Sequence, residues 1–252
     1  MICLKTQNWE IDNIETILFD KDGTFIDLHY FWGKMTELRC EEIIKTFNLN
    51  NTVFDKLCLI LGYDRITKKM LSNGITAMYS RSTIIKIFRE ELEKFNVSTS
   101  EEKLAEIFDY VSTVFYKDMT KYIKPIEEAI NFIKAIHTRG IKLGIVTSDS
   151  VKSTELTLEY FSWNNLFECA VGRECSNETK ESGALTQIAL QKLNANPQTT
   201  IMIGDAPMDY LAAKNAEINK TILVATGQIS AEELKKTSPY VLNSLQELTI
   251  VE

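Results

Sequence analysis

Four aspartates occur in two short segments whose spacing could bring several carboxylates together. Asp20 and Asp22 belong to the run DKDGT, and Asp205 and Asp209 belong to the run GDAPMD. Clustered carboxylates repel one another unless a cation lies among them, and oxygen ligands in a chain with only two histidines favour Mg²⁺. Because a carboxylate can also attack phosphorus to form an acyl phosphate, the pattern is typical of phosphoryl chemistry.

Three further side chains could contact a phosphoryl group. Thr147 and Ser148 follow the apolar run KLGIV, and Lys180 lies in a later polar loop. A lysine would offset the charge that spreads over the phosphoryl oxygens in the transition state, and a hydroxyl would hold one of those oxygens. Three of the candidate residues also have a purely structural explanation. Thr147 could cap a helix, Asp209 could be an acidic residue that the helix dipole favours near a helix start, and Lys180 could be a solvated loop lysine.

Short apolar runs precede these polar residues and predict the strands that position them. TILF ends directly before Asp20, KLGIVT ends at Thr147, and TTIMI ends just before Gly204. Runs of this length bounded by polar loops are typical of buried strands. Because ligands of an open parallel sheet bind beyond the carboxyl ends of its strands, we expect these polar residues to converge on one edge.

The spacing of apolar residues, and the secondary structure that it predicts, changes twice along the chain. Apolar residues recur at helical spacing from about residue 30 to residue 119, without strand-like alternation, and Thr99 with Glu102 resembles a capping box. From residue 121, helices alternate with strands, and Pro125 is expected to open the first of these helices. The alternation predicts an α/β fold with a parallel sheet in residues 1–28 and 121–252, and a helical domain inserted at residues 29–120.

Composition narrows the functional class and the location. The net charge of −7 argues against nucleic-acid binding, and it means that a small phosphorylated metabolite, as the expected partner, would have to be attracted locally by a metal ion or a few placed cations. Five scattered cysteines without a C-x-x-C pair give little support for zinc and suggest free thiols in a reducing compartment. With no signal-like N-terminus and no apolar run near the length of a membrane span, we expect a cytoplasmic monomer or homodimer that does not act at a membrane.

The order of the motifs resembles that of the haloacid dehalogenase (HAD) superfamily. D-K-D-G-T, the hydroxyl pair at Thr147, a downstream Lys180 and G-D-A-P-M-D look like its four motifs, and they span nearly the whole α/β core. The resemblance implies a Rossmann-like core with an inserted α-helical cap domain. The position of that insert is similar to the cap of the subgroup that includes phosphoglycolate phosphatases and β-phosphoglucomutases.

The resemblance also implies roles for the aspartates. Asp20 would be the nucleophile that becomes phosphorylated, and Asp22 would protonate the leaving oxygen and later activate water. Asp20, the carbonyl of Asp22 and Asp205 would bind Mg²⁺, with Asp209 supporting the metal. Asp22 also argues for phosphoryl transfer, since dehalogenases of the superfamily lack a carboxylate at that position.

The resemblance assigns the phosphate contacts to the remaining residues. Thr147, followed by Ser148, would hold phosphoryl oxygens, and Lys180 would bridge the nucleophile and the phosphate. The run that follows Lys180 reads E-S-G, whereas this subgroup often has K-P-x-P, so the shape of the loop is expected to differ. Glu217 replaces a glycine common after the fourth motif, and Lys21 occupies a variable position to which no catalytic role is assigned.

The expected function is a Mg²⁺-dependent phosphatase for a small metabolite such as phosphoglycolate or a sugar phosphate. A phosphosugar mutase of the β-phosphoglucomutase type is the main alternative, since the motifs do not separate hydrolysis from transfer to a second hydroxyl. A non-catalytic binding protein on the same fold is a third hypothesis.

Overall fold

A computed structural model describes residues 1–251 of the chain. They form two compact units, of which one contains residues 1–27 and the chain from residue 125 onward, and the other contains residues 28–124. We call them the core unit and the helical unit. Within residues 1–251, no helix combines the length and apolarity that crossing a membrane requires.

The strands divide between the two units. They are β1 (Ile2–Lys5), β2 (Glu10–Ile14), β3 (Thr16–Phe19), β4 (Tyr63–Asp64), β5 (Lys69–Met70), β6 (Lys142–Val146), β7 (Cys169–Val171), β8 (Thr200–Gly204), β9 (Lys220–Val224), β10 (Tyr240–Leu242) and β11 (Thr249–Val251).

Five helices lie in each unit of the described chain. Those of the helical unit are α1 (Leu28–Thr46), α2 (Phe54–Ile60), α3 (Ile75–Met78), α4 (Arg81–Glu93) and α5 (Glu101–Lys117). Those of the core unit are α6 (Glu127–His137), α7 (Val151–Tyr160), α8 (Ala184–Leu193), α9 (Pro207–Asn215) and α10 (Ala231–Leu234).

A six-stranded parallel sheet forms the centre of the core unit, in the order β10-β9-β8-β3-β6-β7. Phe19 at the end of β3 pairs with Ile145 of β6 and with Ile203 of β8, so these three strands end at the same level. This arrangement confirms the predicted α/β class with a Rossmann-like parallel sheet.

The apolar runs of the sequence explain why these strands are central. Every residue of β3 and of β8 is buried, as expected for parallel strands with both faces covered. One face packs against α8 and α9 in a cluster that includes Leu18, Met202 and Leu185. Full burial of each such side chain contributes about 2 kcal/mol, which holds the ends of β3 and β8 in a fixed position.

A second sheet of the core unit was not expected from the sequence. Strands β11, β1 and β2 form an antiparallel sheet in which Cys3 pairs with Val251. These strands are short and mix buried with exposed residues, so the local pattern is weak. Pairing of the first and last strands depends on the complete fold, which brings the two ends of the described chain together.

The helical unit contains a small hairpin, so the prediction of an entirely helical insert is wrong in detail. Tyr63 of β4 pairs with Met70 of β5 in an antiparallel manner. Each strand has only two residues, which is too short to produce a recognisable alternation. The capping-box prediction also misplaces the residue, because Ser100 caps α5 by accepting a hydrogen bond from the amide of Lys103.

Pro125 does not open a helix. It forms an isolated bridge with Ile26, and the neighbouring Ile126 donates a backbone hydrogen bond to the carbonyl of Phe25 at 2.9 Å. The helix α6 begins two residues later, at Glu127. Pairing with the segment that follows the DKDGT run therefore overrides the preference of proline for a helix start.

Candidate active site

Three strand ends carry the candidate residues to one edge of the sheet. Asp20 follows β3, Thr147 follows β6, and Asp205 follows β8. The amide of Asp20 donates to the carbonyl of Ile203 at 2.8 Å, and the amide of Thr147 donates to Val171 at 3.0 Å. The hydrogen-bond ladder thus extends to the functional residues themselves and orients their backbones.

A tight loop follows Asp20. The carbonyl of Lys21 accepts hydrogen bonds from the amides of Phe25 and Ile26, each at 3.1 Å, and Gly23 donates to Ile26 at 2.7 Å. Gly23 has a φ of +91°, a left-handed conformation that favours glycine. The Thr226 hydroxyl donates to the Gly23 carbonyl at 2.5 Å, which ties the loop to the segment after β9.

Three buried carboxylates converge beyond the sheet edge. One oxygen from each of Asp20, Asp205 and Asp209 lies within 4.8 Å of the others. The ammonium of Lys180 lies 2.5 Å from Oδ1 of Asp20 and 2.6 Å from Oδ1 of Asp209. Lys180 is only 4% exposed, so it is not the solvated loop lysine that the structural alternative required.

A short 3₁₀ turn, Lys180–Ser182, carries the lysine into this cluster. Gly183 follows with a φ of +86° and leads into α8, and a side chain there would overlap the backbone of Asn215. The Asn215 amide group donates to the carbonyl of Glu181 at 2.7 Å. The K-E-S-G loop lacks the prolines that are common in this subgroup, and its conformation is set instead by close packing against the end of α9.

Asp209 serves both the helix and the cluster. Its Oδ2 accepts a hydrogen bond from the amide of Ala206 at 3.0 Å, at the start of α9. Its Oδ1 forms an ion pair with the ammonium of Lys180, 2.6 Å away. Asp209 can therefore both stabilise the start of α9, through Oδ2, and belong to the carboxylate cluster, through Oδ1.

Two glycines that the sequence analysis did not select make room for the carboxylates. A Cβ on Gly204 would overlap the carboxylate of Asp209, and a Cβ on Gly227 would overlap that of Asp205. Gly204 is the first residue of the GDAPMD run, directly before Asp205, so its position in the sequence could have indicated a role in the site. Gly227 lies in the loop after β9, and only the three-dimensional contact reveals its role.

The electrostatics of the cluster favour a bound cation. Burial raises the pKa of Asp20 to about 7, with Asp209 and Asp22 adding to the effect while Lys180 opposes it. Burial and the charges of Asp20 and Asp209 raise the pKa of Asp205 well above its ordinary value. Burial alone lowers the pKa of Lys180, but the two adjacent carboxylates raise it above its usual range, so this residue is a cation.

The residues present fit a divalent metal ion. Among residues 1–251, three carboxylates surround the ammonium of Lys180, so ionising all three would leave an excess of buried negative charge. An all-oxygen ligand set of this kind is what Mg²⁺ prefers.

Asp22 lies outside this group of three. Its Oδ1 accepts a hydrogen bond from Lys21 Nζ at 2.8 Å, and its side chain is about a quarter exposed. The structure thus separates the Asp22 carboxylate from the three carboxylates that could hold a metal. Metal binding through the Asp22 carbonyl stays a prediction.

The two hydroxyl residues differ in their surroundings. Thr147 is buried, and its Oγ1 accepts a hydrogen bond from the amide of Asp149 at 3.1 Å. Ser148 is exposed, and its hydroxyl lies 3.8 Å from the sulfur of Met208. Ser150, which accepts from the Ser153 amide, caps α7. This excludes the alternative of Thr147 as a helix cap, and its role toward phosphate stays a prediction.

The stability of the metal-free protein is expected to fall as the pH rises from about 4 to about 7. Asp20 has an ordinary pKa of 3.8 and a folded-state pKa of about 7, so the folded state binds more protons between these values. The free energy of unfolding therefore decreases with rising pH. Because a metal needs ionised ligands, the increase in Tm caused by Mg²⁺ should be larger at about pH 8 than at about pH 6.

The Asp205→Asn variant separates metal binding from folding. Because burial and the neighbouring carboxylates disfavour the ionised form of Asp205, an amide there should leave the Tm of the metal-free protein equal or higher, while the increase in Tm caused by Mg²⁺ disappears. Asp12→Asn is a matched control, since Asp12 lies on β2 with an exposed side chain. An unchanged Mg²⁺ effect in Asp205→Asn would show that Asp205 does not bind the metal.

Comparisons with known proteins identify the family of the chain and several relatives. A family model described as haloacid dehalogenase-like hydrolase matches residues 43–224. A pyrophosphatase PpaX from Anoxybacillus flavithermus is 24% identical over 237 residues, covering 94% of this chain and 95% of that protein. A phosphoglycolate phosphatase from Psychrobacter arcticus is 23% identical over 230 residues, covering 89% of each chain.

Solved structures show the same fold. The crystal structure of β-phosphoglucomutase from Clostridium difficile has a TM-score of 0.57 at 19% identity, and the match covers 94% of this chain and 93% of that one. The family-model match spans well over half of the chain, which confirms both the predicted family and the expectation of an enzyme. The chain therefore belongs to the haloacid dehalogenase-like hydrolase family.

Proposed function

We propose that the chain is a Mg²⁺-dependent phosphatase that acts on a small phosphorylated metabolite through a phosphorylated Asp20. One observation carries the proposal. The buried Asp20 carboxylate lies at the carboxyl edge of the sheet, 2.5 Å from Lys180 and beside the carboxylates of Asp205 and Asp209. The names of the relatives agree with a phosphatase.

In the first step, Asp20 attacks the phosphorus of the substrate. Oδ1 of Asp20 faces Lys180, so the other oxygen is available to form the new bond to phosphorus. The bond from phosphorus to the leaving oxygen breaks, and Asp22 donates a proton to that oxygen. An acyl phosphate on Asp20 and a free alcohol result.

In the second step, water attacks the phosphorus of phosphorylated Asp20. Asp22, now ionised, accepts a proton from the water, and the bond between Asp20 and phosphorus breaks. Inorganic phosphate leaves, and both aspartates return to their starting states. Asp22 thus acts first as an acid and then as a base, because the carboxylate left after the first proton transfer can accept a proton in the second step.

The remaining residues stabilise charge and hold the phosphoryl group. Mg²⁺ held by Asp20, Asp205 and Asp209 would supply positive charge for the phosphoryl oxygens. Lys180 adds a fixed ammonium on the buried side of Asp20. Thr147 and Ser148, which follow β6, are proposed to bind further phosphoryl oxygens.

The helical unit is proposed to act as the cap that selects the substrate. Movement of such a cap admits substrate and excludes water during the reaction. Phosphoglycolate and sugar phosphates are the first candidates, and the pyrophosphatase relative adds inorganic pyrophosphate. We place the protein in a reducing compartment such as the cytoplasm, since its five cysteines are free.

The experiment is a phosphate-release screen with Mg²⁺ and with EDTA. It compares phosphoglycolate, a hexose phosphate, a nucleoside monophosphate and pyrophosphate, with Asp20→Asn assayed in parallel. We expect Mg²⁺-dependent release from at least one compound. Release no faster than that of Asp20→Asn from every compound would favour a non-catalytic phosphate-binding protein.

A phosphosugar mutase is the second candidate, because a β-phosphoglucomutase shares the fold over almost the whole chain. In that case phosphorylated Asp20 passes its phosphoryl group to a second sugar hydroxyl rather than to water. Conversion of a hexose 1-phosphate to the 6-phosphate, dependent on catalytic amounts of the bisphosphate, would identify the mutase. Release of phosphate without isomerisation identifies the phosphatase.

A further inference from the structure

Lys21 stands between Asp20 and Asp22 in the sequence, yet its side chain is buried. The residue is only 3% exposed. Its ammonium lies 2.8 Å from Oδ1 of Asp22 and 3.1 Å from Oδ2 of Asp149. A buried ammonium requires partners of opposite charge, and here two carboxylates supply them.

Asp149 is itself firmly held. Its Oδ1 accepts a hydrogen bond from the amide of Ser150 at 2.7 Å, and its own amide donates to Thr147 Oγ1 at 3.1 Å. Its carbonyl accepts from the amide of Arg173 at 3.0 Å. Asp149 is therefore a fixed anchor in the loop that follows β6.

Lys21 connects this anchor to Asp22. The ammonium bridges the loop after β3, which carries Asp22, and the loop after β6, which carries Asp149. Because the Asp22 side chain is partly exposed, it would otherwise have several rotamers open to it. The bridge therefore limits the orientations that the Asp22 carboxylate can take.

We propose that Lys21 is a positioning residue that orients the Asp22 carboxyl for proton transfer to the leaving oxygen. The inference rests on the proposed function, in which Asp22 is the acid. It assigns to Lys21 an effect on one part of the reaction, the protonation of the leaving group. A bridge that only joins two loops would affect all substrates alike.

The test compares two substrates that differ in their need for an acid. An alkyl phosphate, such as the substrate found in the screen, needs protonation of its leaving oxygen, whereas p-nitrophenolate leaves without it. The ratio kcat/KM is measured for both, because it reports the phosphorylation of Asp20, the step in which the leaving group departs. Lys21→Met removes the ammonium, and Lys21→Arg retains a cation.

We expect Lys21→Met to lower kcat/KM for the alkyl phosphate by about 10²-fold, within the usual contribution of general acid catalysis, and for p-nitrophenyl phosphate by less than about threefold. Lys21→Arg should recover part of the loss for the alkyl phosphate. Lys236→Met, which alters an exposed lysine of the core unit, should leave both values unchanged.

Asp149→Asn is a second variant that weakens the bridge without leaving a buried lysine unpaired, and it should show the same selective loss to a smaller degree. It keeps the test valid if Lys21→Met does not fold, which thermal unfolding reveals. Equal losses for both substrates, or no loss for either, overturn the positioning role alone. A wild-type protein inactive on both substrates refutes the proposed function, and this inference with it.

Discussion

Replacing Asp20 by asparagine is expected to lower phosphate release by about a thousandfold or more, since the variant has no carboxylate to form the acyl phosphate. The amide is nearly the same size as the carboxylate and fits the same buried position. Loss of a carboxylate whose pKa burial raises to about 7 should not lower the stability of the metal-free protein. The defect should therefore lie in chemistry rather than in folding.

Two measurements check this result. Phosphate release is followed with the best substrate of the screen, and acid-quenched samples are examined by mass spectrometry for one added phosphoryl group. Wild-type protein should carry the group on the peptide that contains Asp20, and Asp20→Asn should not. Asp12→Asn, an exposed change in the same unit, is the control. A phosphorylated Asp20→Asn protein would place the nucleophile elsewhere.

Replacing Lys180 by methionine is expected to affect both stability and catalysis. The ammonium lies 2.5 Å from Asp20 and 2.6 Å from Asp209, and its loss leaves two buried carboxylates without their cation. Breaking a buried ion pair in this way costs about 3–5 kcal/mol of the free energy of unfolding. Loss of a preorganised charge at the phosphoryl group lowers kcat by about 10²–10³-fold.

Addition of Mg²⁺ should distinguish the effect of Lys180→Met on stability from its effect on catalysis. A metal ion among the carboxylates should restore part of the stability of Lys180→Met, because it offsets the same negative charge. It should not restore kcat, because the ammonium beside Asp20 is still missing. Lys192→Met, an exposed change on α8, serves as the matched control. Lys180→Met with wild-type stability in EDTA would show that the ion pairs contribute little to the fold.

Local pattern explains why much of the site could be predicted. The apolar runs before Asp20, Thr147 and Asp205 are buried strands, and parallel strands present their carboxyl ends at one edge. Burial follows from composition over a few residues, and the parallel direction of the strands follows from the alternation of helices and strands. The sequence alone therefore determined the α/β class, the family, and which aspartates stand at the edge.

Contacts between distant segments could not be predicted in the same way. Lys180 reaches Asp20 across 160 residues, and Gly227 makes room for Asp205 from the loop after β9. Lys21 occupies a position that varies in the family, and only the structure shows that it is buried and paired with Asp149. The antiparallel strands at the two ends of the described chain are a similar case, since their short mixed patterns become strands only when they pair.

The physical reason is the range of the interactions. Periodicity and turn chemistry act over a few residues, so the sequence by itself determined the strands that carry the site and the aspartates that follow them. Ion pairing and close packing depend on which segments meet in space. Only the tertiary structure decided that Lys180 pairs with Asp20, that Asp22 lies outside the cluster of three carboxylates, and that Asp22 pairs with Lys21.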